Sequence, residues 1–114
     1  MSYTCFDLEV TDGVAHLQFC RPEAFNSMNR EFWQEFPEAI RTLDDLGETR
    51  VIVISSTGRH FCSGMDLSVF TSGADANPET KGAHARGATR NNILELQETF
   101  TILERARMPV LAAI

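Results

Sequence analysis

Residues 50–67 read RVIVISSTGRHFCSGMDL, and the fold turns on this stretch. Val51-Ile52-Val53-Ile54 is a continuous β-branched run, as expected of a strand buried on both faces in a parallel sheet under helices. The run leads into a turn framed by Gly58 and Gly64, and the end of a strand is where ligands meet α/β sheets. Gly64 permits an unusual backbone angle or the close approach of a ligand, and Asp66 can cap a helix beginning at Leu67. Neighbouring N–H groups would then point outward near a positive dipole end, an arrangement that can bind an oxyanion. Composition alone favours the plainer alternative, a strand-to-helix turn with Asp66 as a structural cap.

Upstream, Tyr3 to Val10 alternates, with Phe6, Leu8 and Val10 on one face. After Asp12-Gly13, Val14 to Cys20 alternates again, Ala15, Leu17 and Phe19 opposing His16 and Gln18. The first twenty residues therefore read as a β-hairpin closed around Asp-Gly. Arg21-Pro22 breaks the strand. A helix is expected from Asn29, an N-cap residue with Glu31 in the first turn. Its apolar stripe is Phe32, Phe36, Ile40 and Leu43, with Trp33 beside it in the helix core, and Gly47 lies just past its end. Pro37 falls inside the stripe and predicts a kink or a break.

Downstream, residues 71–90 carry scarcely an apolar side chain and read as a long mobile loop with a disordered tip. A second helix is expected from Asn91 or Asn92, with Ile93, Leu96, Phe100 and Leu103 on its apolar face and Arg105 and Arg107 near its negative end. Met108-Pro109 stops it, and Val110 to Ile114 reads as another buried strand. The order β-β-α-β-loop-α-β is that of an α/β unit with right-handed crossovers. A central strand with no closing element after it suggests the N-terminal part of a larger domain.

Composition excludes several classes of function. The 114 residues are 43% hydrophobic and 23% charged, enough apolar content for one packed domain and against disorder. A net charge of −6 has the wrong sign for a nucleic-acid partner. No stretch approaches the roughly 18 apolar residues of a membrane span, and the N-terminus lacks the pattern of a signal peptide. Cys5, Cys20 and Cys62 are odd in number and lack CxxC spacing, which argues against disulfides or zinc and for the cytoplasm. His60 and Cys62 share a face of an extended segment without a third ligand or an orienting acid, so pocket-lining roles are favoured and no metal site is assigned. The Gly58 to Gly64 turn lacks the ending of a phosphate loop.

Four segments together carry a family resemblance. Arg21-Pro22-Glu23-Ala24-Phe25-Asn26-Ser27-Met28, Arg50 to Ile54, Gly58 with Phe61-Cys62-Ser63-Gly64-Met65-Asp66-Leu67, and Pro109-Val110-Leu111-Ala112-Ala113 resemble, in order and spacing, the N-terminal motifs of the crotonase family, the enoyl-CoA hydratases and isomerases. The resemblance implies an α/β spiral of ββα units and an acyl-CoA thioester as substrate. No cofactor is implied, because CoA belongs to the substrate. The thioester oxygen would lie between two backbone N–H groups, the first that of Met65. Ala24, Phe25 and Ser27 would lie along the CoA adenine and pantetheine, Ser63 would offer backbone groups to the adenine, and Gly64, Asp66 and Leu67 would complete the binding turn, Asp66 as its cap. A homotrimer or hexamer is also implied.

In the family the second N–H comes from a Gly-Gly pair after the Pro-Val-x-Ala-Ala strand, and the acid and base carboxylates lie further on. None of these falls within the 114 residues, so no acid or base is assigned. Gln97-Glu98-Thr99-Phe100 ahead of Met108-Pro109-Val110, and Phe32-Trp33 early in the first helix, resemble the dienoyl-CoA isomerase branch. Hydration is the runner-up. From a different class, the rival expectation is a non-catalytic fragment with a partial CoA-binding surface or an assembly role.

Overall fold

The computed structural model describes residues 2–71 and 83–114. Strands β1 (Phe6–Thr11) and β2 (Val14–Phe19) pair antiparallel with Thr11 opposite Val14. The two residues between them, Asp12 (φ 51°) and Gly13 (φ 83°), are both left-handed, the backbone that matches a two-residue turn to the strands' own twist. The Gly13 carbonyl also accepts the N–H groups of Arg50 (2.7 Å) and Val51 (3.3 Å), which guides the next strand alongside. That strand, β3 (Val51–Ser56), runs parallel to β2, and β4 (Val110–Ala112) runs parallel to β3, giving the sheet order β1-β2-β3-β4.

Helix α1 (Arg30–Leu46) connects β2 to β3. The Asn29 side chain accepts the Phe32 N–H at its start, and Gly47 (φ 70°) ends it. Phe32, Phe36, Ala39, Ile40 and Leu43 are buried against Ala15, Leu17, Phe19, Ile52 and Ile54 of the sheet. Aromatic rings fill this layer: Phe32 stacks on Phe36 at 4.9 Å, and Phe6 and Phe19 approach Phe36 at 6.3 and 6.4 Å. The helix passes unbroken through Pro37, which is itself buried. A proline in a helix interior costs about 3 kcal/mol. Burying each of the four large side chains on either side of it returns about 1.5–3 kcal/mol, so the sum favours the continuous helix.

The N-terminus is pinned to α1 by Glu35, whose carboxylate accepts the N–H groups of Thr4 and Cys5 and the Thr4 hydroxyl. Burial outweighs every other influence on the Cys5 thiol, and with help from nearby Glu35 pushes its pKa up to about 11. Its sulfur donates to Asn29 Oδ1 at 3.0 Å. Around pH 8 such a thiol holds a few hundredfold less thiolate than an ordinary cysteine of pKa roughly 8.5. Timed alkylation read by peptide mass is therefore expected to label Cys5 last of the three cysteines; labelling of Cys5 as fast as Cys62 would refute the packed N-terminus.

Four expectations from the sequence are corrected. Helix α3 (Ala83–Arg105) begins at Ala83 rather than at Asn91 or Asn92, so the loop expected over 71–90 is helical from Ala83 onward. The disordered tip falls at residues outside those described. Alanine and arginine are strong helix formers, so a missing apolar rhythm does not mean absence of helix. Secondly, α3 packs on α1 through Thr99 and Ile102, with Leu103 and Ala106 beside them, while Ile93 and Phe100 of the expected face are about half exposed. Phe100 still meets the Trp33 ring edge-on at 5.6 Å. Thirdly, among the described residues β3 is fully covered on one face: Ile52 and Ile54 are buried under α1, Val51 and Val53 half-buried. Lastly, β4 lies at the edge of the described sheet with Leu111 exposed, and Val10, near the hairpin tip, is exposed as well.

Arg107, just past α3, donates its N–H and Nε to Asp44 Oδ1 at 3.1 Å each and its guanidinium to the Asp44 carbonyl, fastening the approach to β4 onto α1. These bonds hold the Asp44 carboxyl below its ordinary pKa.

Candidate functional site

Because β2 and β3 are parallel neighbours, the segments that leave them, residues 20–29 and 57–67, emerge side by side at the same end of the sheet. The first opens with a single 3-10 turn, Pro22–Ala24, whose proline starts it and whose last carbonyl accepts the Ser27 N–H. Phe25 (φ 56°) and Asn26 (φ 54°) follow in left-handed backbone, which asparagine tolerates and which strains phenylalanine. The turn holds the Phe25 ring out, 56% exposed, edge-on to His60 at 5.3 Å. Asn26 is drawn inward.

The two segments are laced together. The N–H and hydroxyl of Thr57 both donate to the Phe19 carbonyl, and the Ser63 N–H donates to the Phe25 carbonyl at 3.1 Å. Met28 and Met65 then form a single parallel bridge: the Met28 N–H reaches the Gly64 carbonyl at 2.8 Å, and the Asp66 N–H reaches the Met28 carbonyl at 2.9 Å. In a parallel ladder the residue between those two bonded groups turns its own N–H and C=O to the other side. The Met65 N–H therefore faces away from Met28. Gly64 makes this turn at φ 100°, a backbone angle that side-chain-bearing residues rarely adopt; a Cβ there would meet no atom within 4 Å, so conformation and not space calls for glycine.

Asp66 closes the arrangement. One carboxylate oxygen accepts the Ser68 N–H at 2.9 Å, capping the single described turn of α2 (Ser68–Thr71). The other accepts the Ser27 hydroxyl at 2.7 Å and faces the Arg21 guanidinium at 3.6 Å. Hydrogen bonds from the Ser68 and Ser27 hydroxyls and the Ser68 N–H, with Arg21 adding to them, hold the Asp66 carboxyl far below the usual carboxylate range. The expected cap is thus present, but the helix it caps is described for one turn only. The bridge to Met28 sets the N–H direction.

All of the residues singled out in the sequence come to this one corner. Ala24, Phe25 and Ser27 lie on the first segment and Ser63, Gly64, Met65, Asp66 and Leu67 on the second, with Leu67 77% exposed beside the cap. Sequence reading gave no role to Asn26 or Arg21. Asn26, 4% exposed, bonds both segments, and Arg21 donates to the Ser27 carbonyl at 2.7 Å as well as facing Asp66. The only signal for Asn26 was an asparagine in a loop, a residue suited to left-handed backbone. Among the described residues no three His, Cys, Asp or Glu side chains converge as a metal site, and no helix is long and apolar enough to cross a membrane.

Residues 9–114 match the family model for enoyl-CoA hydratase/isomerase. The chain belongs to this family. It is 36% identical over 105 residues to a peroxisomal Delta(3,5)-Delta(2,4)-dienoyl-CoA isomerase of Arabidopsis thaliana, covering 89% of this chain and 37% of that protein. It is 38% identical over 101 residues to the mitochondrial enzyme of that name from Rattus norvegicus, covering 89% and 31%. The crystal structure of an enoyl-CoA hydratase from Mycobacterium smegmatis superposes with a TM-score of 0.75 at 24% identity, over 96% of this chain and 39% of that one, which shows the shared crotonase fold. The chain thus spans about a third of the length of these relatives and holds the N-terminal part of the α/β crotonase fold.

Proposed function

We propose that the full-length protein binds an acyl-CoA thioester and shifts a proton next to its carbonyl, isomerising a dienoyl-CoA, with the Met65 N–H as one of two donors to the thioester oxygen. The observation that carries this reading is the outward direction of that N–H, held by the Met28 bridge at the sheet end. Removing a proton beside a thioester builds negative charge on its oxygen, and one preorganised donor typically lowers the barrier by about 2.7–4 kcal/mol. Ala24, Phe25 and Ser27 are assigned to the CoA adenine and pantetheine, and the Ser63 backbone to the adenine. Gly64 and Leu67 shape the turn that receives the thioester, and Asp66 caps it. The reaction calls for no cofactor, CoA being part of the substrate, and none of the described carboxylates is given the role of acid or base.

Isomerisation is preferred to hydration because the relatives quoted above at 36% and 38% identity are dienoyl-CoA isomerases by name. The proposed assembly is a homotrimer or hexamer, as the family resemblance implies. The free thiols of Cys5, Cys20 and Cys62 support a reducing compartment such as the cytoplasm, whereas those two relatives are peroxisomal and mitochondrial by name.

The test is to assay the full-length protein on a 3,5-dienoyl-CoA and on crotonyl-CoA, following ultraviolet absorbance. Growth of the absorption of a 2,4-dienoyl thioester is the expected result. Loss of crotonyl-CoA absorbance with the dienoyl substrate untouched would move the assignment to hydration, and turnover of neither would sink it.

A further inference from the structure

We propose that Asn26 is the positioning residue of the thioester-binding turn: its carboxamide braces the segment after β2 against the segment after β3, so that the Met65 N–H keeps one direction. The proposal rests on the role given to Met65 above.

Every polar atom of the Asn26 side chain is committed. Oδ1 accepts the Arg21 N–H at 2.9 Å, while Nδ2 donates to the carbonyls of Thr57 at 2.7 Å and His60 at 2.9 Å. Two carbonyls converge on one nitrogen, so from this position only a group with two N–H donors serves both, and the His60 carbonyl also accepts the Ser56 hydroxyl at 3.3 Å. At 4% exposure, water has little access to replace those bonds. The Ser27-Asp66-Arg21 tie, by contrast, is about one-fifth exposed at Asp66 and Arg21, where water can substitute.

The brace acts on segments that are already in contact. A Cβ on Gly58 would come within 2.7 Å of the Pro22 Cβ, so the two backbones have no slack there. From His60 the chain passes Phe61, whose ring lies 5.6 Å from that of Phe19, and reaches Gly64 and Met65. Met65 is thus held by the bridge to Met28, by the Ser63 N–H bond to the Phe25 carbonyl, and further upstream by the Asn26 brace. Releasing the brace leaves the bridge and the end bonds of Thr57 and Ser63 but lets the chain between them tilt, and an N–H aimed at a developing charge loses its effect when tilted.

Aspartate at 26 is the sharpest test. It keeps the size and the tolerance of left-handed backbone but turns an oxygen toward the Thr57 and His60 carbonyls. The full-length protein, its Asn26→Asp, Asn26→Ser and Gly58→Ala variants, and Ile40→Val as a core variant remote from the site are compared in two ways. One is kcat and KM on the substrate that the wild type turns over. The other is the near-ultraviolet enolate absorbance of acetoacetyl-CoA bound at saturation, which reads polarisation of the thioester directly and which a merely less stable fold does not alter.

Losing a donor outright lowers kcat about a hundred- to thousandfold, so a tilted one is expected to cost about ten- to hundredfold, with KM within about threefold. The enolate absorbance should fall in step in Asn26→Asp, Asn26→Ser and Gly58→Ala and stay at the wild-type level in Ile40→Val. A folded Asn26→Asp protein with wild-type absorbance and kcat overturns the proposal. If neither Asn26 variant folds, Gly58→Ala decides, and wild-type absorbance there overturns it equally. Absence of enolate absorbance in the wild type is a different result, which removes the role of Met65 and the brace with it.

Discussion

A Met65→Pro variant of the full-length protein is expected to lose about a hundred- to thousandfold in kcat while melting close to the wild-type temperature. Proline deletes one atom that matters, the amide hydrogen, and fixes φ near −65°. The bridge to Met28 uses the Gly64 carbonyl and the Asp66 N–H, neither of which the substitution removes. Met65 is not among the residues with positive φ, so the ring does not reverse a left-handed backbone. The Asp66 carboxylate keeps its bonds to Ser27 and Ser68 as well. Steady-state kinetics and a thermal melt on the same preparation test the claim. A kcat within threefold of wild type would mean that the thioester oxygen is held elsewhere. A collapse of the melting temperature would mean that the N–H is structural.

The elements legible in the sequence were those whose burial and geometry are local. Asp12-Gly13 between two alternating runs specifies a hairpin because both positions must take positive φ, and they do. Phe32, Phe36, Ile40 and Leu43 specify α1 because a single face of the helix meets the sheet. Apolar character and burial part company where these 114 residues, about a third of the relatives' length, leave a surface open. Leu111, Ile93 and Phe100 are apolar and about half exposed, Phe100 with the edge of the Trp33 ring against it. The converse holds in α3: the stretch from Ala83 to Arg90 lacks apolar rhythm yet is helical, since alanine and arginine favour helix by propensity.

The site divides along the same line. Gly64, Met65 and Asp66 were legible as a motif, and Asp66 could be read as a cap from residue type alone. The direction of the Met65 N–H was not, because it follows from a bridge between residues 28 and 65 that no local pattern encodes. Asn26 is silent in the sequence for a related reason. Its importance lies in bonds to Thr57 and His60, more than thirty positions away in the chain.

Phe36→Ala is expected to remove about 3–5 kcal/mol of stability, the range for deleting a buried aromatic ring. The Phe36 side chain is 2% exposed and contacts the rings of Phe6, Phe19 and Phe32, so it joins β1 and β2 to α1 at one point. These rings are held by strands and a helix with little freedom to move, so the cavity should stay open and the cost fall in the upper part of the range. Domains are stable by about 5–15 kcal/mol, so the loss takes a large share of the total. Val10→Ala, on the exposed part of β1, is expected to change stability by about 0.5 kcal/mol or less. Urea unfolding of the full-length protein and both variants separates the two cases, with m unchanged if the change lies in the folded state. A loss below 1 kcal/mol for Phe36→Ala would mean that the layer between α1 and the sheet is looser than the ring contacts imply. The frame that aims Met65 would then rest on the lacing of the two segments alone.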